Sequence, residues 1–237
     1  MRVVIKLGGS ILQSKEGEIN LALVKEYAKV IRQVKREGVD VAAVVVGGGA
    51  ISRRFINYAR NLNASEGLCD VIGIQATRLN GYLLIAAMGE DAYPTIPQTL
   101  DEVAQAYATG KTVIVGGLQP GQSTSAVAAL VAERLGANVL LNATDVEGVF
   151  TSDPKKDPNA KIIPELSVKC FGEIIMSKSH IAGKYELFDL VALKIVERSK
   201  VKVVIFNGKQ PENMIRIIKG EKVGTVISPE QLGDSNA

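Results

Sequence analysis

Three short apolar runs, residues 3–7, 41–46 and 113–115, each end in glycines. The first is Val3-Val4-Ile5-Lys6-Leu7 followed by Gly8-Gly9-Ser10, the second ends in Gly47-Gly48-Gly49, and the third in Gly116-Gly117. Runs this short, rich in β-branched residues, read as strands buried on both faces, the kind found in parallel sheets covered by helices. A glycine turn running into a helix presents backbone N–H groups and the positive end of the helix dipole at the strand's carboxyl end. Parallel strands place all such ends on one edge. Three of them constrain the chain to an open α/β architecture with a ligand site there, and phosphate is the natural guest. Singly, each turn keeps a plain reading as a tight βα connection, because none has Walker A or G-x-G-x-x-G spacing.

Lys6 sits inside the first run. Burying it unpaired costs several kcal/mol, so it either reaches an anion at the strand's end or sits at the strand's margin before an ordinary turn.

Composition narrows the chemistry. With 46% hydrophobic residues, 5% aromatic and no Trp, the 237-residue chain builds an aliphatic core. A net charge of +3, without a basic tract, gives no nucleic-acid footprint. Cys69 and Cys170 lack partners at metal-ligand spacing and His180 is the only histidine, which excludes a zinc cluster and leaves His180 as a solvated loop residue in Ser177-Lys178-Ser179-His180. No signal peptide and no apolar run near about 18 residues is evident, so a soluble cytoplasmic protein is expected.

Along the chain, Asn20 caps a helix with Leu23, Val24, Tyr27, Val30, Ile31 and Val34 inward, ending at Gly38. A helix starts after Gly49 and carries Arg53. Ser65 caps a long helix over 66–88, with Leu68, Val71, Ile72, Leu79, Tyr82, Leu83 and Ala86 on its expected buried side and Asp70 in its first turn; Gly89 stops it. Residues 93–97 suit an edge or crossover. Thr99 and Glu102 form a capping-box pattern for a helix to Ala108. After the third strand, a polar glycine loop runs to Thr124 and a helix follows over 125–135. Residues 139–142 make a strand, 143–158 a surface excursion with Lys155 and Lys156 solvated, and 165–184 have no clean period, with mobility expected at 177–184. A helix over 186–198, with Leu187, Phe188, Val191 and Ile195 inward, then a strand over 201–206, a helix over 212–219 and a strand over 223–227 complete one unit of residues 1–227. The tail, 228–237, is expected to be disordered.

Lys6-Leu7-Gly8-Gly9-Ser10, Gly47-Gly48-Gly49 with Arg53, residues 117–124 and residues 144–154 resemble, in that order, the motifs of the amino acid kinase superfamily, and within it the archaeal-type uridylate kinases. The likeness covers residues 2–227. It implies an open αβα sandwich with a mainly parallel sheet, in which ATP and UMP meet over the strands' carboxyl ends. Lys6 would stabilise the transferring phosphoryl group, Gly9, Ser10, Gly49 and Arg53 would face the ATP phosphates, and Gly48 and Asp70 would bind UMP, Asp70 through the ribose. Leu118, Gln119, Pro120, Gly121, Gln122, Ser123 and Thr124 would wrap the monophosphate. Thr144, Asp145, Phe150 and Asp153 match the ATP nucleoside loop, with Asp153 on the ribose and Phe150 where relatives often carry Tyr. Asp189 matches an acidic position near the phosphates, where relatives acting on carboxylates or carbamate tend to carry Lys. Mg²⁺ is expected mainly through the ATP phosphates; the resemblance implies a homohexamer, for which the 68–88 helix is a candidate interface.

One departure matters. Many uridylate kinases end the monophosphate loop in Thr-Thr-Asp, whereas this chain reads Ser123-Thr124-Ser125. The expectation is that Asp145, or Asp189, supplies the missing carboxylate, making Lys6, Asp145 and Asp189 the catalytic set. Two alternatives stand beside this reading. An isopentenyl phosphate kinase of the same fold relies on a histidine soon after the second turn, where this chain has Ala50, Ile51, Ser52 and Arg53. A non-catalytic nucleotide-binding or storage protein has little need of a buried lysine.

Overall fold

The computed structural model describes residues 1–152, 154, 157–179 and 188–229, the side chains of 177–179 excepted. The strands are β1 (Arg2–Leu7), β2 (Asp40–Val46), β3 (Val113–Val115), β4 (Val139–Thr144), β5 (Glu165–Ser167), β6 (Lys202–Asn207) and β7 (Thr225–Ser228). They form one sheet in the order β3-β2-β1-β4-β6-β7-β5. Every pairing is parallel except β6 with β7. After β1 the chain adds β2 and β3 on one side, then returns to lay β4 on the other. The strand order therefore reverses between β1 and β4, the place where open α/β sheets leave a crevice.

The helices are α1 (Gly9–Leu12), α2 (Leu21–Arg36), α3 (Gly49–Asn61), α4 (Glu66–Met88), α5 (Leu100–Tyr107), α6 (Thr124–Arg134), α7 (Val168–Ser179), α8 (Leu190–Ser199) and α9 (Asn213–Ile218). Two aliphatic layers cover the sheet. Val3, Ile5 and Leu7 of β1 pack with Val24, Tyr27 and Ile31 of α2, Leu84 and Met88 of α4 and Met214 of α9. Val4 faces the other way, with Val127 and Val131 of α6 and Ile195 and Val196 of α8. Alternation along the strand puts Lys6 on the Val4 side. All of Val41, Ala42, Ala43, Val44, Val45 and Val46 are buried, as the continuous run in β2 requires.

The expected caps form. Asn20 accepts from the N–H of Leu23 (3.0 Å), Ser65 from that of Leu68 (3.3 Å) and Thr99 from that of Glu102 (3.1 Å). Glu102 reaches back to the N–H of Gln98 (2.7 Å), one residue before the capping-box position. Phe150 bridges Ile162, and the Ile163 N–H bonds to the Val149 carbonyl (2.8 Å); within the surface excursion expected over 143–158, Ala143, Thr144, Gly148 and Val149 are buried, and Asp153, Lys155 and Lys156 lie outside the described residues.

Five expectations need correction. The buried side of α4 is Cys69, Ile74, Ala76, Thr77, Asn80, Gly81, Leu84 and Met88, whereas Leu68, Val71, Leu79 and Tyr82 are exposed, Leu79 by 65%. This helix is apolar nearly all round, so periodicity marked no single stripe, and close packing chose the face with small residues. At Gly81 a Cβ would stand 2.7 Å from Ile96 Cδ1 and 3.3 Å from Ile114 Cγ2. For the same reason the segment Glu66–Asp91 contains an 18-residue window of mean hydropathy 1.2, long and apolar enough by length and composition to cross a membrane, where no such run was expected. Residues 165–179 hold β5 and α7, which the aperiodic pattern concealed. The helix expected from 186 begins at Leu190, and Val191 is exposed while Ala192 and Leu193 are buried. Ser228 lies in β7 and outside any tail. His180, residues 180–184, Leu187 and residues 230–237 lie outside the described residues.

Candidate active site

The first two glycine turns lock into each other without side chains. A Cβ on Gly9 would stand 2.6 Å from the Gly47 carbonyl oxygen and collide with the Gly49 nitrogen; one on Gly47 would stand 2.7 Å from the Gly9 nitrogen. Gly49 has φ +66°, a conformation that disfavours any Cβ. The Gly47 N–H bonds to the Leu7 carbonyl (2.9 Å) and the Gly8 N–H to the Ala143 carbonyl (3.1 Å), which continues the sheet's pairing into the turns. Glycine here lets the ends of β1, β2 and β4 converge at one point.

Lys6 arrives at that point, level with Val45 of β2 and Asn142 of β4. Burial pushes its ammonium down to about 8 from an ordinary 10.5, and the carboxylates of Asp145 and then Asp189 oppose that shift. The buried cation is thus left short of negative charge. Asp145 is exposed at the end of β4, where the Thr144 hydroxyl donates to the Val146 carbonyl (3.2 Å). Asp189 caps α8 by accepting from the Ala192 N–H (2.9 Å) and also accepts from the Ser123 hydroxyl.

Beside this point lies a cleft of about 160 Å³ between the second turn, α4 and the loop after β3. It gathers Gly48, Asp70, Gln119, Gln122 and Thr124 from the sequence-predicted set, together with Ser52, Ile56, Gly73, Ile74, Thr77 and Gly117. Asp70, in the second turn of α4 rather than the first as expected, accepts from the Gly121 N–H (2.8 Å), so it ties α4 to the loop as well as facing the cleft. Leu118, Pro120, Gly121 and Ser123 do not line it: Leu118 packs on the core, and Ser123 caps α6. Gly9 and Ser10 begin α1 at the end of β1, Arg53 is exposed on α3, and Phe150 stands in the hairpin. Ser125 is 7% exposed in the first turn of α6, its N–H given to Ser123 Oγ (3.1 Å). Asp153 lies outside the described residues.

Sequence reasoning missed the polar residues beneath the loops. Thr77 accepts from the Gly117 N–H (2.7 Å) and donates to the Ile74 carbonyl (2.6 Å), and Gln13 and Asn80 lie against the second turn. Their signal was a Thr and an Asn one turn apart in a long apolar helix, and a Gln directly after Ile11-Leu12.

The Amino acid kinase family model matches residues 1–207. A uridylate kinase of Hyperthermus butylicus is 46% identical, covering 95% of this chain and 97% of that protein, and one of Methanothermobacter thermautotrophicus is 42% identical over 97% and 100%. The crystal structure of a uridylate kinase from Archaeoglobus fulgidus superposes with a TM-score of 0.85 at 42% identity, covering 96% of this chain and all of that one. A UMP kinase from Bacillus anthracis gives 0.81 at 26% identity, with 97% and 96% covered. With the family model matching most of its length and relatives above 40% identical over nearly their whole length, this chain belongs to the amino acid kinase family.

Proposed function

We propose that this protein transfers the γ-phosphoryl group of ATP to UMP, giving ADP and UDP. The observation that carries the reading is Lys6: a largely buried cation, its charge only partly offset, standing where two interlocked glycine turns meet the cleft. A group that moves from one phosphate to another needs its charge neutralised and its two partners aligned, and this chemistry is mostly positioning and electrostatics. The acceptor phosphate is already ionised near neutral pH, so no histidine base is required.

In this reading UMP fills the cleft, with its phosphate toward Gly48 and Thr124, its ribose on Asp70 and the loop of Leu118, Gln119, Pro120, Gly121, Gln122 and Ser123 over it. ATP enters from the β4 side, its phosphates facing Gly9, Ser10, Gly49 and Arg53 and its nucleoside at Thr144, Asp145, Phe150 and Asp153. Lys6 sits between the two and draws the transferring group onto its ammonium. Asp145 holds Lys6 charged and oriented, the part a carboxylate at Ser125 plays in relatives; its place as the leading carboxylate in the lysine's field supports this. Asp189 joins the acceptor loop to α8. Mg²⁺ would accompany the ATP phosphates, with Asp145 and Asp189, the carboxylates in the lysine's field, as its protein partners, and would supply further charge neutralisation.

The exposed apolar residues Phe55 and Tyr58 of α3, Leu62 at its C-cap, and Leu79 and Tyr82 of α4 support association with further copies, which we take to be a hexamer, and a cytoplasmic setting fits these substrates. An isopentenyl phosphate kinase would need a histidine where Ala50 to Arg53 stand. A coupled ADP-release assay with UMP, CMP, carbamate and isopentenyl phosphate tests the proposal. UMP turning over best supports it, and no preference for UMP refutes it.

A further inference from the structure

The carbonyl groups of the second glycine turn are held from behind by a relay of amide side chains. Asn80, 3% exposed on α4, donates through Nδ2 to the Gly47 carbonyl (2.8 Å) and the Gly48 carbonyl (3.1 Å). Its Oδ1 accepts from Gln13 Nε2 (2.9 Å), which also lies 3.4 Å from the Gly48 carbonyl. Gln13 Oε1 in turn accepts from the Ile51 N–H (3.1 Å) in the first turn of α3. Each step has one possible sense. The Ile51 N–H can only donate, so Gln13 presents its oxygen there and its NH₂ to Asn80; the glycine carbonyls can only accept, so Asn80 presents its NH₂ to them.

A trans peptide is planar, with its C=O and N–H pointing in opposite directions. No cis peptide bond is present among the described residues. Pinning the Gly47 and Gly48 carbonyls toward Asn80 therefore turns the N–H groups of Gly48 and Gly49 the other way. Neither N–H has a protein acceptor among the described residues, and Gly48 lines the cleft. The Gly48 carbonyl also takes the Ser52 N–H at 3.4 Å, so without the relay the Gly47–Gly48 peptide is the one freed to flip, since glycine adopts both senses readily, and a flip would aim a carbonyl oxygen at a phosphate.

We infer that Asn80 and Gln13 are positioning residues for phosphoryl transfer: they set the peptide planes of the second glycine turn so that two consecutive N–H groups face the phosphates of the bound nucleotides. This rests on the proposed phosphotransfer and adds to it residues that touch no substrate. The relay needs donors at Asn80, which makes it titratable by substitution. In Asn80→Asp the carboxylate cannot donate to the carbonyls, whereas its protonated form offers one O–H to them and still accepts from Gln13. A carboxyl buried against carbonyl oxygens holds its proton to unusually high pH.

The test is steady-state turnover of ATP and UMP by the full chain and by Asn80→Asp, each corrected for folded fraction by circular dichroism, from about pH 8 to about pH 5. The expected result is a kcat about 30-fold below wild type at the upper end, with the ratio of variant to wild type rising severalfold as the pH falls. A ratio that stays flat with pH, or a kcat within about threefold of wild type at pH 8, overturns the inference. Should Asn80→Asp not fold, Gln13→Glu carries the same test, because its carboxylate keeps the Ile51 contact and needs a proton to donate to Asn80. Failure of the wild-type chain to phosphorylate UMP overturns the proposed function itself; turnover of UMP with a pH-flat variant ratio overturns only the positioning role.

Discussion

One hydrogen bond, from the Ser123 hydroxyl to Asp189, joins the caps of two helices. Ser123 accepts from the N–H groups of Ser125 (3.1 Å) and Ala126 (3.0 Å) at the start of α6, and Asp189 accepts from the Ala192 N–H (2.9 Å) at the start of α8. The loop that closes the cleft is thereby tied to the helix on the far side of β4. Ser123→Ala removes both the cap and the tie. It is expected to cost about 1 kcal/mol of stability, seen in denaturant unfolding, and to raise the KM for UMP about fivefold with little change in kcat. An unchanged KM would leave Ser123 a cap and nothing more.

The lowered Lys6 value has a pH consequence of definite sign. In the free protein the ammonium loses its proton as pH rises through about 8. If the cation is the active form, kcat/KM, which reports the free enzyme, falls as pH rises through that value. Bound phosphates favour the cation, so the corresponding limb of kcat lies at higher pH. Stability runs the other way: between about 8 and the ordinary 10.5 the unfolded chain binds the extra proton, so this lysine's contribution to stability increases with pH over that window. Superimposed limbs for kcat and kcat/KM would contradict the assignment, and Lys6→Met should remove both.

Asp145→Asn tests which carboxylate supports the lysine. Asp145 leads Asp189 among the charges that hold Lys6 protonated. Its loss is expected to lower kcat by about tenfold or more and to move the kcat/KM limb to lower pH, whereas Phe150→Leu keeps an apolar surface and should cost little. Equal, mild effects from the two substitutions would return the role to Asp189.

Glycine substitutions separate packing from mere flexibility. Gly9→Ala drives a methyl group into the backbone of the second turn and should abolish activity and destabilise the fold by several kcal/mol in thermal unfolding. At Gly67 on α4 an added methyl group would meet nothing within 4 Å, so Gly67→Ala should stabilise by about 0.5–1 kcal/mol and leave kcat unchanged. A destabilised Gly67→Ala would mean that this part of α4 is covered in the assembled protein.

The apolar face shared by α3 and α4 predicts self-association. Leu62 is 81% exposed and Leu79 65%. Leu79→Glu places a charge on that face and is expected to shift the mass measured by light scattering to a smaller species. A wild-type chain that runs as a monomer at micromolar concentration would remove the basis for this expectation.

The sequence alone determined the layered α/β fold, because fully apolar runs, caps such as Asn20 and Ser65, and glycine turns are local signals that survive without tertiary context. It also placed Lys6, the glycines, Asp70 and the loop to Thr124 in order along the chain, and the likeness of those motifs to one family supplied their expected roles. Tertiary structure decided what local signals do not encode. On α4, apolar nearly all round, packing selected the face of Gly73, Thr77, Asn80 and Gly81, since only small or hydrogen-bonding residues let the helix approach the glycine turns. β5 and α7 took shape from pairing with β7 and packing on α8, contacts distant in sequence that leave no period to read. The relay from Ile51 through Gln13 and Asn80 to Gly47 and Gly48 spans four elements, and the hydrogen bond from Ser123 to Asp189 joins residues 66 positions apart. Hydrogen bonds of that range are fixed by the packed sheet, which brings together side chains whose neighbours in the chain say nothing of one another.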